Sequence, residues 1–152
     1  MKYVLCASAA LGTEVAQFVD AVGLEVYEGY GLTETSPMVS ANTPGARRMG
    51  SVGKVVPGVR VEIDETKGEQ PGHGEIIVYG PNVMLGYHQR PDADAETFTP
   101  DGGVRTGDLG YVDADGYLFI TGRIKEQYKL ENGKYVMPGP LEEQLKLSRY
   151  VS

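Results

Sequence analysis

Glycine is the feature that most constrains how this sequence can fold. The chain has 21 glycines among its 152 residues, roughly twice the usual share of about 7%, and they follow no collagen-like period. Such a density predicts many tight turns between short elements. Hydrophobic residues make up 41% and charged residues 23% of the sequence, values typical of a globular domain rather than of a disordered chain.

Charge and composition exclude several classes of function. The formal net charge is −7, which argues against a nucleic-acid-binding surface or a patch for anionic membranes, because both need clustered lysine and arginine. A single cysteine, Cys6, excludes an internal disulfide bond. The two histidines, His73 and His88, lie far apart without cysteine or acidic ligands around them, so no structural zinc site is expected.

The first residues, MKYVLCASAALG, contain a short apolar run that allows two interpretations. The run is about nine residues long, which is the low end for a signal peptide and half of what a membrane-spanning helix needs. A buried strand over Tyr3–Ser8 explains the same pattern. We therefore favour a soluble, cytoplasmic protein without a transmembrane segment.

The next elements complete a β-α-β unit over residues 1–36. Thr13 is expected to cap a helix, and Gly23 to end it in the left-handed conformation. The apolar residues of this helix recur at helical spacing: Val15, Phe18, Val19 and Val22. A second strand, Leu24–Tyr27, then leads into VYEGYGLTETSP. Ligands of open α/β sheets bind at the carboxyl ends of strands, which is where this stretch is expected to lie.

The middle of the chain, residues 37–122, is predicted to be a β-rich lobe without helices. Apolar and polar residues alternate along Val59–Asp64, and Glu75–Tyr79 is another short apolar run. The stretch YVDADGYLFITGR is typical of a hairpin that turns at Asp115 and Gly116. Together with the first unit, this pattern predicts a mixed α+β protein of the α/β class.

After Gly122 the composition becomes strongly charged. A hairpin is expected at Glu131–Lys134, followed by a helix in PLEEQLKLS. Leu141 and Leu145 share one face of that helix, and the sequence that follows offers nothing for this face to cover. The pattern is that of a truncated chain.

The stretch that follows the second strand has the parts of a nucleotide site. A flexible Gly-x-Gly turn at Gly29–Gly31 would let backbone amides approach a phosphate, to which the hydroxyls of Thr33 and Thr35 can donate. Glu34 can hold a divalent cation, and Tyr30 offers a flat face for a base. The same residues are equally typical of an ordinary turn, so the stretch alone leaves both interpretations open.

A second cluster lies in RTGDLGYVDADGYLFITGR. Asp108 can accept hydrogen bonds from both hydroxyls of a ribose, and Arg123 can reach a ribose or phosphate from the other side. Asp113 and Asp115 resemble the start of a calcium loop. The twelfth position of that loop would be Ile124 rather than glutamate, so the two aspartates are interpreted as turn residues.

Three stretches, in this order and spacing, resemble the adenylate-forming (AMP-binding) ligase superfamily and are most similar to its long-chain acyl-CoA synthetases: YEGYGLTETSP, GYHQRPDADAETF and RTGDLGYVDADGYLFITGRIKEQYKLENGKYVMPGPLEE. The resemblance covers nearly the whole chain. It implies that residues 1–122 are the end of the large N-terminal domain, residues 123–126 a hinge, and residues 127–152 the start of the small C-terminal domain.

The resemblance also implies an activity. In such enzymes a carboxylate attacks ATP to give an acyl-adenylate and pyrophosphate, and coenzyme A then displaces AMP to give a thioester. The implied substrates are a long-chain fatty acid, ATP and coenzyme A, with Mg²⁺ as cofactor. The implied location is the cytoplasm, with the intact enzyme able to sit peripherally on a membrane.

Roles carry over residue by residue from the resemblance. Tyr30 matches the adenine-stacking aromatic residue, with Gly31 beside it in the nucleotide motif, while Thr33 matches the phosphate-contacting hydroxyl and Glu34 the magnesium ligand. The other matches lie later in the chain: Asp108 is the ribose-binding aspartate, Arg123 the nucleotide-contacting arginine, Lys125 the hinge residue, and Lys129–Val136 the segment that supports thioester formation. Thr33, Glu34 and Lys125 are therefore the catalytic candidates.

The sequence departs from the family pattern in several places. The phosphate loop with its lysine is expected before Met1, and the lysine that assists adenylation after Ser152, so the rest of the ligase is an implied partner. Cys6–Ser8 replaces the usual serine and two glycines, and Gly103 stands where relatives often carry an aromatic residue. Four basic residues are expected to serve only solvation: Arg47, Arg48, Lys67 and His88.

Two alternatives to a ligase fragment remain at this point. The chain could be an adenylate-binding or interaction module without catalysis, or a structural β lobe whose glycines reflect turns alone. Nucleotide binding that is weakened by Glu34→Ala or Asp108→Asn would support the adenylate-binding module over the structural lobe.

Overall fold

A computed structural model describes residues 3–7, 11–68, 70–131, 135–136, 138–146 and 148. The described part contains ten strands and three α-helices. The strands are β1 Tyr3–Cys6, β2 Glu25–Gly31, β3 Met38–Ala41, β4 Lys54–Val55, β5 Arg60–Asp64, β6 Gly74–Tyr79, β7 Val104–Val112, β8 Leu118–Arg123, β9 Tyr128–Lys129 and β10 Tyr135–Val136. The helices are α1 Thr13–Ala21, α2 Pro91–Thr97 and α3 Pro138–Lys146. The predicted mixed α/β class is confirmed.

The first sheet has the order β1-β2-β3-β4, with β1 parallel to β2 across α1. The predicted β-α-β unit is therefore present. Gly23 has a φ of +87°, and Leu24 N donates to Val19 O at 3.2 Å, the arrangement of a glycine-terminated helix. The prediction that Thr13 caps α1 is wrong, because Gly12 occupies the cap position and Thr13 is already helical.

The outer part of this sheet is exposed, contrary to the predicted buried strand. β1 is an edge strand, and Tyr3 and Leu5 on one of its faces are 65% and 62% exposed. In α1 only Ala16 is buried, while Phe18 points outward. The apolar spacing predicted the helix correctly, but among the described residues its apolar face has no cover. Ser8, the predicted end of β1, lies outside the described residues.

The second sheet has the order β5-β6-β7-β8 and is antiparallel throughout. The predicted hairpin between β7 and β8 is present, with Gly116 at a φ of +82°. The expectation of no helix in this lobe is wrong, because α2 occupies Pro91–Thr97. Proline at the first helical position, followed by Asp92 and Asp94 in the first turn, favours a helix start.

One core joins the two sheets. It consists of Val39 from β3, Ile76 and Val78 from β6, and Leu118 from β8. Tyr30 packs against this cluster from the end of β2. Because β2 and the β7–β8 hairpin meet at the core, the two sequence clusters singled out above lie against each other.

The last elements follow the prediction where they are described. Strands β9 and β10 pair antiparallel, as a hairpin requires, and residues 132–134 of its turn lie outside the described residues. In α3, Leu141 and Leu145 are 50% and 54% exposed, so the described residues leave about half of these two side chains uncovered. No helix in the described part of the chain is long and apolar enough to cross a membrane.

Candidate functional site

The Gly-Tyr-Gly segment lies inside β2 rather than in a turn after it. Gly29 pairs with Ala41 and Gly31 with Met38 on β3, with an irregularity between Tyr30 and Gly31. The predicted Gly-x-Gly turn is therefore wrong. A Cβ atom on Gly31 would lie 1.5 Å from the carbonyl oxygen of Pro37. Glycine is needed there because the returning chain passes so close.

Three predicted nucleotide ligands meet in one cluster. The Tyr30 hydroxyl donates to Asp108 Oδ2 at 2.6 Å, although the two residues are 78 positions apart. Arg123 Nε donates to Asp108 Oδ1 at 2.8 Å from the opposite position on β8. The side chain of Asp108 is only 6% exposed, whereas that of Arg123 is 62% exposed. The cluster thus has a fixed carboxylate and a solvent-accessible guanidinium.

Tyr30 is held as a hydrogen-bond donor. Burial raises the pKa of its phenol well above the usual range, and the charge and hydrogen bond of Asp108 add to that rise. Its ring packs against the core and its hydroxyl is bound to Asp108. Both ends of the side chain are therefore fixed before any ligand arrives.

A short 3₁₀ turn, Thr33–Thr35, follows β2 directly. Thr35 is fully buried, and its hydroxyl contacts the backbone at Leu32 and Pro37. It stabilises the turn, so the expectation that Thr35 donates to a phosphate is wrong. Thr33 is exposed at the same turn.

Glu34 is braced by a loop that the sequence reasoning did not assign a role. The Tyr87 hydroxyl donates to Glu34 Oε1 at 2.7 Å, and Met84 N donates to Glu34 O at 2.8 Å. The hydrogen bond to Glu34 raises the pKa of Tyr87. Asn82 Nδ2 also donates to Thr35 O at 3.0 Å. The signal was present in GYHQRP, which supported the resemblance without a function for its tyrosine.

The surroundings of Glu34 suit one type of metal. No group of three or more His, Cys, Asp or Glu side chains within the described ranges is placed to hold an ion. Mg²⁺ is commonly held by one or two carboxylates together with substrate phosphates. A single carboxylate beside the exposed Thr33 hydroxyl fits that mode and does not fit an all-protein metal cage.

A cleft of about 420 Å³ lies next to this loop. It is lined by Tyr87, His88, Arg90, Ala93, Glu96, Thr97 and Lys125. Lys125, the predicted hinge residue, lies in a 3₁₀ turn at Ile124–Glu126, directly after β8. Tyr87 thus contacts Glu34 on one side and lines the cleft with Lys125 on the other. His88 lines this cleft as well, which the sequence reasoning did not foresee.

Two arginines expected to serve only solvation hold elements together. Arg47 Nη1 pairs with Asp20 on α1 at 2.6 Å. Arg48 pairs with Asp113 and with Asp115, the latter at 2.7 Å, and so ties the chain before β4 to the β7–β8 turn. Asp113 Oδ1 also accepts from Asp115 N at 3.0 Å, which confirms that these aspartates are turn residues.

The departure at Gly103 has a physical reason. A Cβ atom there would lie 2.5 Å from Cε1 of Tyr79 and 2.9 Å from Cγ2 of Ile77. The Tyr79 ring, covered on its face by Arg60 at 3.8 Å from the ring centroid, already occupies the space above Gly103. The predicted thioester segment Lys129–Val136 falls partly outside the described residues, and its role stays a prediction.

The profile of the AMP-binding enzyme family matches residues 1–88. The chain is 43% identical over 144 residues to the long-chain-fatty-acid–CoA ligase FadD15 of Mycobacterium bovis, covering 95% of this chain and 23% of that protein. It is 40% identical to the sulfoacetate–CoA ligase of Cupriavidus necator, covering 95% of this chain and 29% of that protein.

The chain is also similar to a solved structure of a coenzyme A synthetase. The O-succinylbenzoate coenzyme A synthetase of Bacillus subtilis in complex with AMP superposes with a TM-score of 0.85 at 29% identity, over 98% of this chain and 31% of that one. The same synthetase has been solved with ATP and magnesium. The chain spans about a quarter of the length of the curated relatives it matches.

Proposed function

Given that this chain belongs to the AMP-binding enzyme family, we propose that it supplies the nucleotide-binding part of an ATP-dependent acyl-CoA synthetase. The observation that carries the proposal is the meeting of Tyr30, Asp108 and Arg123 through hydrogen bonds of 2.6 and 2.8 Å. These residues come from distant parts of the sequence and match three nucleotide ligands of the family.

Asp108 is suited to bind the ribose. An ionised carboxylate has about four acceptor positions on its two oxygens, and Tyr30 and Arg123 use one on each oxygen. One position on each oxygen remains for the two ribose hydroxyls. The ring of Tyr30 lies beside this carboxylate and supplies the stacking surface for adenine, while the exposed Arg123 can turn toward the nucleotide.

Thr33 and Glu34 are suited to the phosphates. The Thr33 hydroxyl can donate to a phosphate oxygen, and Glu34 would hold Mg²⁺ together with the phosphates of ATP. Bound there, Mg²⁺ would neutralise phosphate charge, since phosphoryl and adenylyl transfer depend mainly on positioning and charge stabilisation. Tyr87 fixes Glu34 Oε1 by its hydrogen bond, and the carboxylate held in this way would be the protein ligand of Mg²⁺.

The domain roles belong to the same proposal. Residues 1–122 would be the end of the large domain, residues 123–126 the hinge with Lys125 as its pivot, and residues 127–152 the start of the mobile small domain. The 3₁₀ turn at Ile124–Glu126 directly after β8 supports this division, because a short turn between elements can absorb a rotation of the chain.

A long-chain fatty acid is the proposed acyl substrate, with coenzyme A as acceptor. The similarity to a long-chain-fatty-acid ligase at 43% identity supports it. The sulfoacetate ligase is nearly as similar at 40% identity, so the identity of the acid substrate needs a separate experiment. Replacing the matching segment of FadD15 by this chain should give a chimera that converts palmitate to its CoA thioester. A chimera that adenylates only short or sulfonated acids would contradict the fatty-acid assignment.

Nucleotide binding is tested on the chain itself by calorimetric titration with AMP and with ATP plus Mg²⁺. Asp108→Asn should weaken AMP binding about tenfold, as expected for roughly 1.5 kcal/mol lost from charge-assisted hydrogen bonds. Glu34→Ala should weaken ATP binding only when Mg²⁺ is present. Glu62→Ala, at an exposed position on β5, is the control. Absence of binding to either nucleotide would overturn the proposal.

A further inference from the structure

Strand β7 leaves its ladder just before Asp108. On the β6–β7 pair, Ile77 is opposite Arg105 and Glu75 is opposite Leu109. Two steps along β6 thus correspond to four steps along β7, so the segment Thr106–Asp108 bulges out of register. Bulges of this kind change the direction in which a side chain points, and they are common beside active sites.

The bulge takes backbone amides out of the regular ladder, and buried amides need other partners. Glu75 Oε1 accepts from Gly107 N at 3.2 Å. Thr106 Oγ1 accepts from Asp108 N at 3.1 Å and donates to Ile76 O at 2.8 Å. Two side chains therefore replace the missing strand contacts on either side of the Gly107–Asp108 peptide.

Glu75 is a buried charge with a defined partner. Its side chain is 6% exposed, and Oε2 accepts from Arg105 Nη1 at 2.9 Å. The same Arg105 nitrogen lies 3.1 Å from Asp64 Oδ2. A buried carboxylate is stable only when it is paired and hydrogen-bonded. Because one of its oxygens is bound to Arg105 and the other to Gly107, Glu75 cannot move without shifting the bulge.

We infer that Glu75, together with Thr106, is a positioning residue that holds Asp108 in place for nucleotide binding. Glu75 touches neither Tyr30 nor Arg123 through any described hydrogen bond, and it acts on Asp108 through the Gly107 amide. Gly107 has a φ of +71°, so its conformation depends on glycine and on this contact. The inference rests on the proposed function for its effect on affinity, but the positioning itself can be measured without a nucleotide.

The first measurement is amide hydrogen exchange by NMR on the full 152-residue chain. Glu75→Ala should reduce protection at Gly107 and Asp108 by about fivefold relative to the core amides of Ile76 and Val78, as expected for one hydrogen bond of roughly 1 kcal/mol. Glu75→Gln keeps an acceptor oxygen for Gly107 and should restore most of that protection. Glu62→Ala on the neighbouring β5 should change neither amide.

The second measurement is AMP affinity in the same variants. At a temperature where the variant is folded, Glu75→Ala should weaken AMP binding about tenfold. Glu75→Gln should weaken AMP binding less. If Glu75→Ala does not fold, Thr106→Val provides the test, since it should reduce protection at Asp108 and weaken AMP binding while leaving the Glu75–Arg105 pair intact.

The outcomes are distinguishable. A uniform loss of protection across the core, with unchanged relative protection at Gly107 and Asp108, would mean that Glu75 only stabilises the lobe and would overturn the inference. Unchanged AMP affinity in a folded Glu75→Ala variant would also overturn it. If the wild-type chain binds no AMP while Gly107 and Asp108 respond as described, the proposed function fails and the positioning of Asp108 stands.

Discussion

The contribution of the Tyr30 hydroxyl to stability can be measured with a single substitution. The hydroxyl donates to a carboxylate that is 6% exposed, and a buried acceptor that loses a donor costs roughly 1 to 3 kcal/mol. Tyr30→Phe keeps the ring and removes this bond together with the hydrogen bond between the phenol and the Thr106 side chain. We expect the free energy of unfolding in urea to fall by about that amount, while the retained ring preserves most of the AMP affinity.

Tyr128→Phe is the matched control, because Tyr128 is 67% exposed. Its free energy of unfolding should equal that of the wild type. If Tyr30→Phe also had the unfolding free energy of the wild type, the hydrogen bond between the phenol and Asp108 would not stabilise the protein, which would contradict the prediction.

The raised pKa of Tyr30 predicts a pH dependence with a defined sign. The folded state keeps the Tyr30 proton while the unfolded state loses it near pH 10, so the contribution to stability is complete below about pH 10 and falls above it. The fall is about 1.4 kcal/mol per pH unit for one proton.

The Tyr30→Phe variant has no phenol at this position, so its unfolding free energy does not undergo this decrease. The difference in unfolding free energy between the wild type and Tyr30→Phe should therefore shrink as the pH rises from about 10 to 11. Urea unfolding at several pH values measures it. Two curves that stay parallel across this range would contradict a raised pKa at Tyr30.

Helix α2 contributes to the surroundings of Glu34 through one residue of its first turn. Asp94 Oδ1 accepts from Tyr87 N at 2.8 Å, and Tyr87 in turn holds Glu34. Asp94→Ala should therefore loosen Glu34 indirectly. We expect affinity for ATP with Mg²⁺ to fall about fivefold, the value of one hydrogen bond of roughly 1 kcal/mol, and AMP affinity to stay unchanged.

Asp92→Ala controls for the charge at the helix start, because Asp92 lies in the same turn but pairs only with Arg90 in the described contacts, with both side chains more than half exposed. Such a pair contributes little. Equal loss of affinity for ATP in the two variants would mean that the charge of α2, and not the contact with Tyr87, affects the site.

Local sequence patterns predicted the elements that depend on local chemistry. The helical spacing of α1, the left-handed Gly23 and the turn at Gly116 are short-range features, and all three are present. The failures have a different cause. The pattern of Gly29 and Gly31 predicts a turn, whereas both residues pair with β3 inside β2, and the close passage of Pro37 leaves no room for a side chain at Gly31. Helix α2 has seven residues and no apolar stripe, so only Pro91 and the acidic first turn indicate it.

At the level of the two sheets, the sequence could predict candidate ligands but not the residues that support them. The motifs around Tyr30, Glu34 and Asp108 are continuous in sequence, so resemblance found them, and the structure brings Tyr30 and Asp108 together. Tyr87 and Glu75 act across a loop and across a strand bulge. Periodicity tells which face of a strand a residue occupies, but not which neighbour meets it from another element.

The arrangement of the first sheet predicts how the whole chain behaves in solution. One face of β1 carries Tyr3 and Leu5, and α1 with its C-cap residue carries Val15, Phe18 and Val22, all at least 50% exposed. Apolar surfaces of this kind promote association. We expect light scattering to show self-association that grows with concentration. Leu5→Ser combined with Phe18→Ser should reduce it, because each face then loses one large exposed apolar side chain.

Leu85→Ser is the control for this prediction. Leu85 is fully exposed, but it lies on the loop beside Glu34 rather than on β1 or α1. If association is driven by the β1 and α1 faces, Leu85→Ser leaves it unchanged. A wild-type chain that stays monomeric at concentrations where the AMP titrations are performed would contradict the prediction, and it would mean that these exposed faces do not promote association under those conditions.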